Sequence, residues 1–266
     1  MAPSYATTRA DGPSAGELIR SWRERRRLTQ LDLAVVCDVS TRHLSCIETG
    51  KSRPTSTMLL GLAEHLDVPL RERNRMLLAA GHAPAYAEYD LDEPPMAAVS
   101  DAILRLLRAH DPYPAVVLDR SWDLIDANQS AGLMMTGVAA ELLEPPVNLV
   151  RLSLHPEGMA PRILNLSQWR SHLLHRLERQ VASGGDPALL ALRDECRGYP
   201  GGLTTATDVS GLLVDLVYDS PIGRLSLFGT TTVFGSPHEV TVSELAVEAF
   251  YPTDSDSEKA LRATKS

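Results

Sequence analysis

Residues 28–54 read LTQLDLAVVCDVSTRHLSCIETGKSRP. Thr29 followed by Asp32 is a capping pattern that predicts a helix reaching Cys37, and Ser40 opens a second one that Gly50 ends. Leu33, Cys37, Val39, Leu44 and Ile47 are apolar where two short helices crossing at a fixed angle would meet, and Ala34 is small where the second must come close. Leu44 and Ile47 set the inward face of the second helix. Helical geometry then turns Arg42, Ser45, Cys46 and Thr49 outward. This is a helix-turn-helix pattern, whose second helix enters the major groove of DNA. Thr41, Arg42 and His43 stand at its start, where base edges are reached, and an arginine there can donate two hydrogen bonds to guanine. Gln30 on one side and Lys51, Ser52 and Arg53 on the other are placed for phosphate. The expected DNA-contact set is therefore Gln30, Thr41, Arg42, His43, Ser45, Cys46, Lys51 and Arg53.

Three more helices flank this pair. Ser14 and Glu17 form a capping box opening a helix through Arg26, with Leu18, Ile19 and Trp22 on one face. Ser56 can open a fourth with Met58, Leu59, Leu62, Ala63 and Leu66 apolar, and Pro69 a fifth with Met76, Leu77 and Ala80 apolar, stopped by Gly81. Residues 14–82 thus read as a five-helix DNA-binding domain, preceded by a flexible arm at 1–13 without the apolar core of a secretory signal. Residues 83–97, rich in Pro, Ala and acid, read as a linker in which Tyr86 or Tyr89 could dock on a neighbouring domain.

Charge divides the chain at the same place. Residues 1–82 carry 12 Lys and Arg against 9 Asp and Glu, and residues 83–266 carry 14 against 25. A mildly basic head on a strongly acidic body suits a head that meets phosphate and a body that is repelled by it. With 44% hydrophobic and 23% charged residues the composition is that of a globular protein, and no stretch approaches the roughly 18 apolar residues of a membrane span. Cys37, Cys46 and Cys196 match no metal spacing and no disulfide framework, so the expected compartment is the reducing cytoplasm, with no membrane partner and no cofactor.

After residue 98 the periodicity is mixed. Helices are expected over 98–109, 128–135, 166–181 and 187–196. Short strands are expected at 115–118 and 122–126, around a turn at Asp119-Arg120, and longer ones at 212–218, 224–234 and 244–251. Helices segregated from an antiparallel sheet make the fold class α+β, with a domain over 98–254 and a polar, frayed tail at 255–266. His172 and His175, three apart on one helix, read as a solvent-facing pair, and no metal site is assigned.

The stretch 28–54 resembles the XRE-type helix-turn-helix family of phage-repressor kinship, most strongly in ETGKSRP. That resemblance implies an ion pair between Arg23 and Glu48, and it places Asp38 where the family's turn carries glycine. The segments 67–86, 108–128, 148–158, 165–180, 223–235 and 244–254 resemble regulators in which such a domain precedes an MmyB-like, PAS-like ligand-binding domain. The resemblance implies an antiparallel sheet covered by helices around a small cavity. It also implies a transcription regulator sensing a small, largely apolar molecule, fatty-acyl-like ones included. Apolar candidates for its wall are Trp122, Met134, Leu149, Leu154, Met159, Ile163, Trp169, Leu173, Phe228 and Phe234, all of which could equally be core. Asn148, Arg151, His155 and Asn165 could hold a ligand head group or satisfy backbone.

The expected partners are a double-stranded DNA operator, an apolar effector and a second copy of the chain, since one helix-turn-helix covers few base pairs. Two other classes stay open at this point: an adaptor that has lost DNA binding, and an enzyme with a helix-turn-helix-derived docking module. The sequence offers the enzyme no nucleophile elbow, phosphate-cradling loop or catalytic residue set.

Overall fold

The computed structural model describes residues 12–204, 214–235 and 237–264, so most of the expected arm, and Leu212 and Leu213 of an expected strand, lie outside the described residues. Two compact units are present: residues up to Glu88 with His238–Val240, and Tyr89–Pro237 with Thr241 onward. Among the described residues no helix is long and apolar enough to cross a membrane.

The first unit holds α1 (Ala15–Arg25), α2 (Gln30–Val36), α3 (Thr41–Glu48), α4 (Ser56–His65) and α5 (Leu70–Ala79). Their starts are encoded locally. Both halves of the capping box form at Ser14–Glu17 and at Thr29–Asp32, and Ser40 accepts from His43 N. Thr55, one residue before the expected Ser56, caps α4 by accepting from Met58 N. Ile19, Trp22, Leu33, Leu44, Ile47, Leu59, Leu62, Met76 and Leu77 interlock as one core with almost no exposure. Helices α1 and α3 come so close that a Cβ at Gly16 would lie 2.3 Å from the carbonyl oxygen of Ile47, so only glycine fits there.

The turn between α2 and α3 places Asp38 at φ +52°, in the left-handed region. Aspartate tolerates this better than most residues, whereas a β-branched side chain does not. Asp38→Val is therefore expected to lower the stability of this unit by about 1–2 kcal/mol, with Asp38→Gly causing no loss. Denaturant titration followed by circular dichroism checks both. At the end of α5, Gly81 (φ +73°) closes the helix as His82 N donates to Leu77 O. Tyr86 folds back onto α5, where the Asn74 carboxamide bonds the backbone of Ala85 and Tyr86.

In the second unit a five-stranded sheet is formed by β1 (Ala115–Leu118), β2 (Leu124–Ala127), β3 (Leu216–Ser220), β4 (Gly223–Val233) and β5 (Ala246–Pro252), in the order β2-β1-β5-β4-β3 with every neighbour antiparallel. The fold is α+β, as expected. The helices are α6 (Ala97–His110), α7 (Gln129–Met134), α8 (Leu149–Leu154), α9 (Leu166–Gly184), α10 (Pro187–Gly198), α11 (Val240–Glu244) and α12 (Ser255–Ala263). Alternation along the strands divides the faces. Ala115 and Val117 of β1 with Val247 and Ala249 of β5 pack on Ile103 and Leu107 of α6. Val116, Leu118, Leu225 and Leu227 face the other way, in the cluster that holds Trp169, Leu173, Leu174 and Leu177 of α9.

Three expectations change. Strand β2 begins at Leu124 rather than Trp122, because Trp122 sits at φ +68° and interrupts the extended backbone. Glu244 belongs to α11, so β5 begins at Ala246. The frayed tail is instead α12, capped by Asp254 and anchored by Leu261 at 1% exposure and by Ser257, whose hydroxyl accepts from Ser226 N at 2.9 Å.

Candidate functional site

In the first unit Leu44 and Ile47 fasten α3 to the core, leaving Arg42 exposed and Thr41, His43, Ser45 and Cys46 half-buried. The Arg42 and Lys51 side chains have no intramolecular partner among the described residues, so both cations are free for an outside anion. Behind this face lies a buried cluster. Arg23 donates to both oxygens of Glu48, at 2.7 and 2.9 Å, and to Leu28 O at 2.8 Å. The ion pair implied between Arg23 and Glu48 is thus present. Gln30 Nε2 also donates to Glu48, at 2.8 Å, so the amide expected on phosphate helps hold the end of α3. Arg53 Nε donates to Ala80 O at 2.8 Å, which pins the basic loop to the end of α5 and engages the guanidinium internally. Cys37 and Cys46 are unbridged, and burial raises the Cys37 thiol above its usual range.

In the second unit α7, α8, α9 and the inner sheet face surround a cavity of about 320 Å³. Its apolar wall includes Trp122, Val116 of β1, Ala131 and Met134 of α7, Leu149 and Val150 of α8, Met159, Trp169 and Leu173 of α9, and Phe250 of β5. Trp169 donates its indole N–H to Ser153 Oγ at 2.9 Å, and the His172 ring stacks on it at 5.4 Å between centroids. One end is polar. Arg176 of α9 donates to Glu248 of β5 at 2.5 and 3.2 Å, and Thr231 of β4 donates to the same carboxylate at 2.8 Å. The guanidinium lies 4.5 Å from the centre of the Trp122 ring. Trp122 keeps its rare left-handed backbone because its indole donates to Gln180 at 2.8 Å and its carbonyl accepts from Leu149 N at 2.8 Å. Burial, and then the Arg176 charge, push His172 below the usual imidazole range, so it stands neutral at neutral pH.

A model of the MmyB-like transcription regulator ligand binding domain matches residues 99–263, and a helix-turn-helix model matches residues 19–73. The chain belongs to the MmyB-like transcription regulators. This MmyB-like protein is a DNA-binding transcription regulator. No curated protein matches it. Among solved structures it is similar to one described as "Structure of an RNA-binding Light-Oxygen-Voltage Receptor", at 14% identity and a TM-score of 0.28, covering 98% of this chain and 64% of that one. That likeness is too shallow to bear on fold or function.

Of the wall residues expected from sequence, the MmyB-like domain brings Trp122, Met134, Leu149, Met159, Trp169, Leu173 and Phe228 to the cavity. Phe228 borders it, but its ring stacks on Tyr251 at 5.5 Å, among residues of the opposite sheet face. The others are held elsewhere. Leu154 and Ile163 are core, and Phe234 packs with the α6 cluster. Asn148 caps α8 and bonds Ser121 O and Asp123. Arg151 pairs with Glu195 at 2.6 and 2.8 Å, and His155 sits edge-on to Tyr199. Asn165 braces β3 through Asp215 O and Val217 N. His172 is not solvent-facing but lines the cavity, while His175 is exposed. Sequence reasoning missed Arg176, Thr231 and Glu248. One signal was available: Trp169, His172, Leu173 and Arg176 follow the i, i+3, i+4, i+7 stripe of a single helix face.

Proposed function

We propose that this regulator reads a double-stranded operator with α3, steadied by the Lys51 loop, and that a small, largely apolar molecule in the cavity sets its operator affinity. The cavity carries the second half of this reading. At about 320 Å³ it falls at the lower end of the ~300–1,000 Å³ of small-molecule sites, and it has the apolar wall and few polar groups such sites have. A ligand that prefers one DNA-affinity state shifts operator affinity, and the operator shifts ligand affinity by the same factor. We assign no catalytic role. One α3 reads one half-site, so the operator-bound form is proposed to be a homodimer. Native mass spectrometry of the purified protein tests both points: a retained small molecule and a dimer mass are expected, and a bare monomer under all conditions would reject them.

The two cations should behave differently. Arg42→Ala is expected to lose about 1–3 kcal/mol at the specific operator and to relax one base position. Lys51→Ala should weaken all DNA alike and flatten the salt dependence by about one unit of slope. Gel shifts at several salt concentrations separate these outcomes. Arg53→Ala is a poor phosphate probe, because it also releases the end of α5.

A further inference from the structure

We infer that the cavity selects neutral ligands, apolar molecules carrying an ester, lactone or ketone oxygen, and rejects free carboxylates, because the buried Glu248 carboxylate already holds Arg176 at its polar end. This rests on reading the cavity as the sensor site. Glu248 is only 4% exposed and lies on the central strand β5, facing the cavity. It takes both contacts from Arg176 and a third from Thr231. The guanidinium charge that would otherwise attract an acid is therefore neutralised from within the wall. An acid seated here would bring a second carboxylate against Glu248 in a site of low polarity, where like charges repel strongly.

The remaining polar groups suit a neutral acceptor. Three of the five N–H donors of Arg176 have partners, which leaves others for a carbonyl oxygen. His172 is neutral and can offer a ring N–H. Ser153 already accepts from Trp169. Arg179, the other cation at the cavity, is exposed, so water screens its charge.

The test is calorimetric titration of the full-length protein with decanoate, methyl decanoate and δ-decalactone at neutral pH. Both neutral compounds are expected to bind at least about tenfold more tightly than decanoate. Glu248→Gln keeps the side-chain shape and one accepting oxygen, replaces the other by an amide N–H that cannot accept from Arg176, and so frees the Arg176 charge; it should shift the preference toward decanoate. Decanoate binding to wild type as tightly as the neutral compounds would overturn the inference. So would an unchanged preference in a Glu248→Gln protein shown by thermal melting to be folded. Should that variant not fold, the wild-type series alone decides. If none of the three binds, the reading of the cavity as an apolar-ligand site fails with it, a result distinct from binding with the wrong preference.

Discussion

Glu48→Ala is expected to cost the first unit about 3–5 kcal/mol, because it strands the Arg23 guanidinium. The Glu48 side chain is 1% exposed and that of Arg23 is 10% exposed. Breaking this pair from one side leaves a mostly buried guanidinium with only the Leu28 carbonyl and, 3.9 Å away, the exposed Glu24 carboxylate to offset its charge. The loss is a large share of the ~5–15 kcal/mol of a whole domain. It falls on the helix that reads DNA, since Glu48 is the last residue of α3 and is held from α1 by Arg23 and from α2 by Gln30. Glu48→Gln should be milder, since the amide oxygen keeps the hydrogen bonds of one carboxylate oxygen while those of the other are lost with the charge. Chemical denaturation of both variants is the measurement. A loss below about 1 kcal/mol in Glu48→Ala, the range of an exposed pair, would show that the cluster does not fix α3.

The second large effect belongs to the cavity. Leu173 lies on α9 with 4% exposure and borders the cavity directly. Leu173→Trp should place an indole in the space that a ligand needs, abolishing the effector response while operator binding stays close to wild type. The larger ring is accommodated by the volume already present, so the overpacking penalty of about 1–3 kcal/mol expected in a solid core should be reduced. Operator affinity with and without a cavity-binding compound checks this. A variant that still responded would place the effector elsewhere.

How legible each part was depended on how local its determinants are. The helix-turn-helix could be read almost entirely, because caps, a 3.6-residue apolar period and the Asp38 turn act within a few residues of one another. The short helix α12 was hidden because SDSEKALRA offers little beyond Leu261 for an apolar face, and its anchor at Ser257 comes from β4. The apolar wall on α9 was visible as a stripe, but its polar end was not. Arg176, Thr231 and Glu248 are far apart in the chain, and only the pairing of Thr231 with Glu248 across β4 and β5 brings those two together. Asn148, Arg151, His155 and Asn165 stay open between head-group and backbone roles at the level of sequence, because polar residues in an apolar stretch look alike whichever they serve.

The chain has three tryptophans, and the fold distributes them unevenly. Trp22 is buried in the first unit's core with the Arg25 and Arg26 guanidiniums 5.0 and 5.5 Å from its ring, whereas Trp122 and Trp169 both border the cavity. Ultraviolet emission from this protein is therefore divided between its two halves. With Trp22 changed to phenylalanine, all remaining indole light would originate in the cavity wall, and its wavelength and intensity would report occupancy without any attached dye. With Trp122 and Trp169 changed instead, the same measurement would follow only the folding of the DNA-reading half.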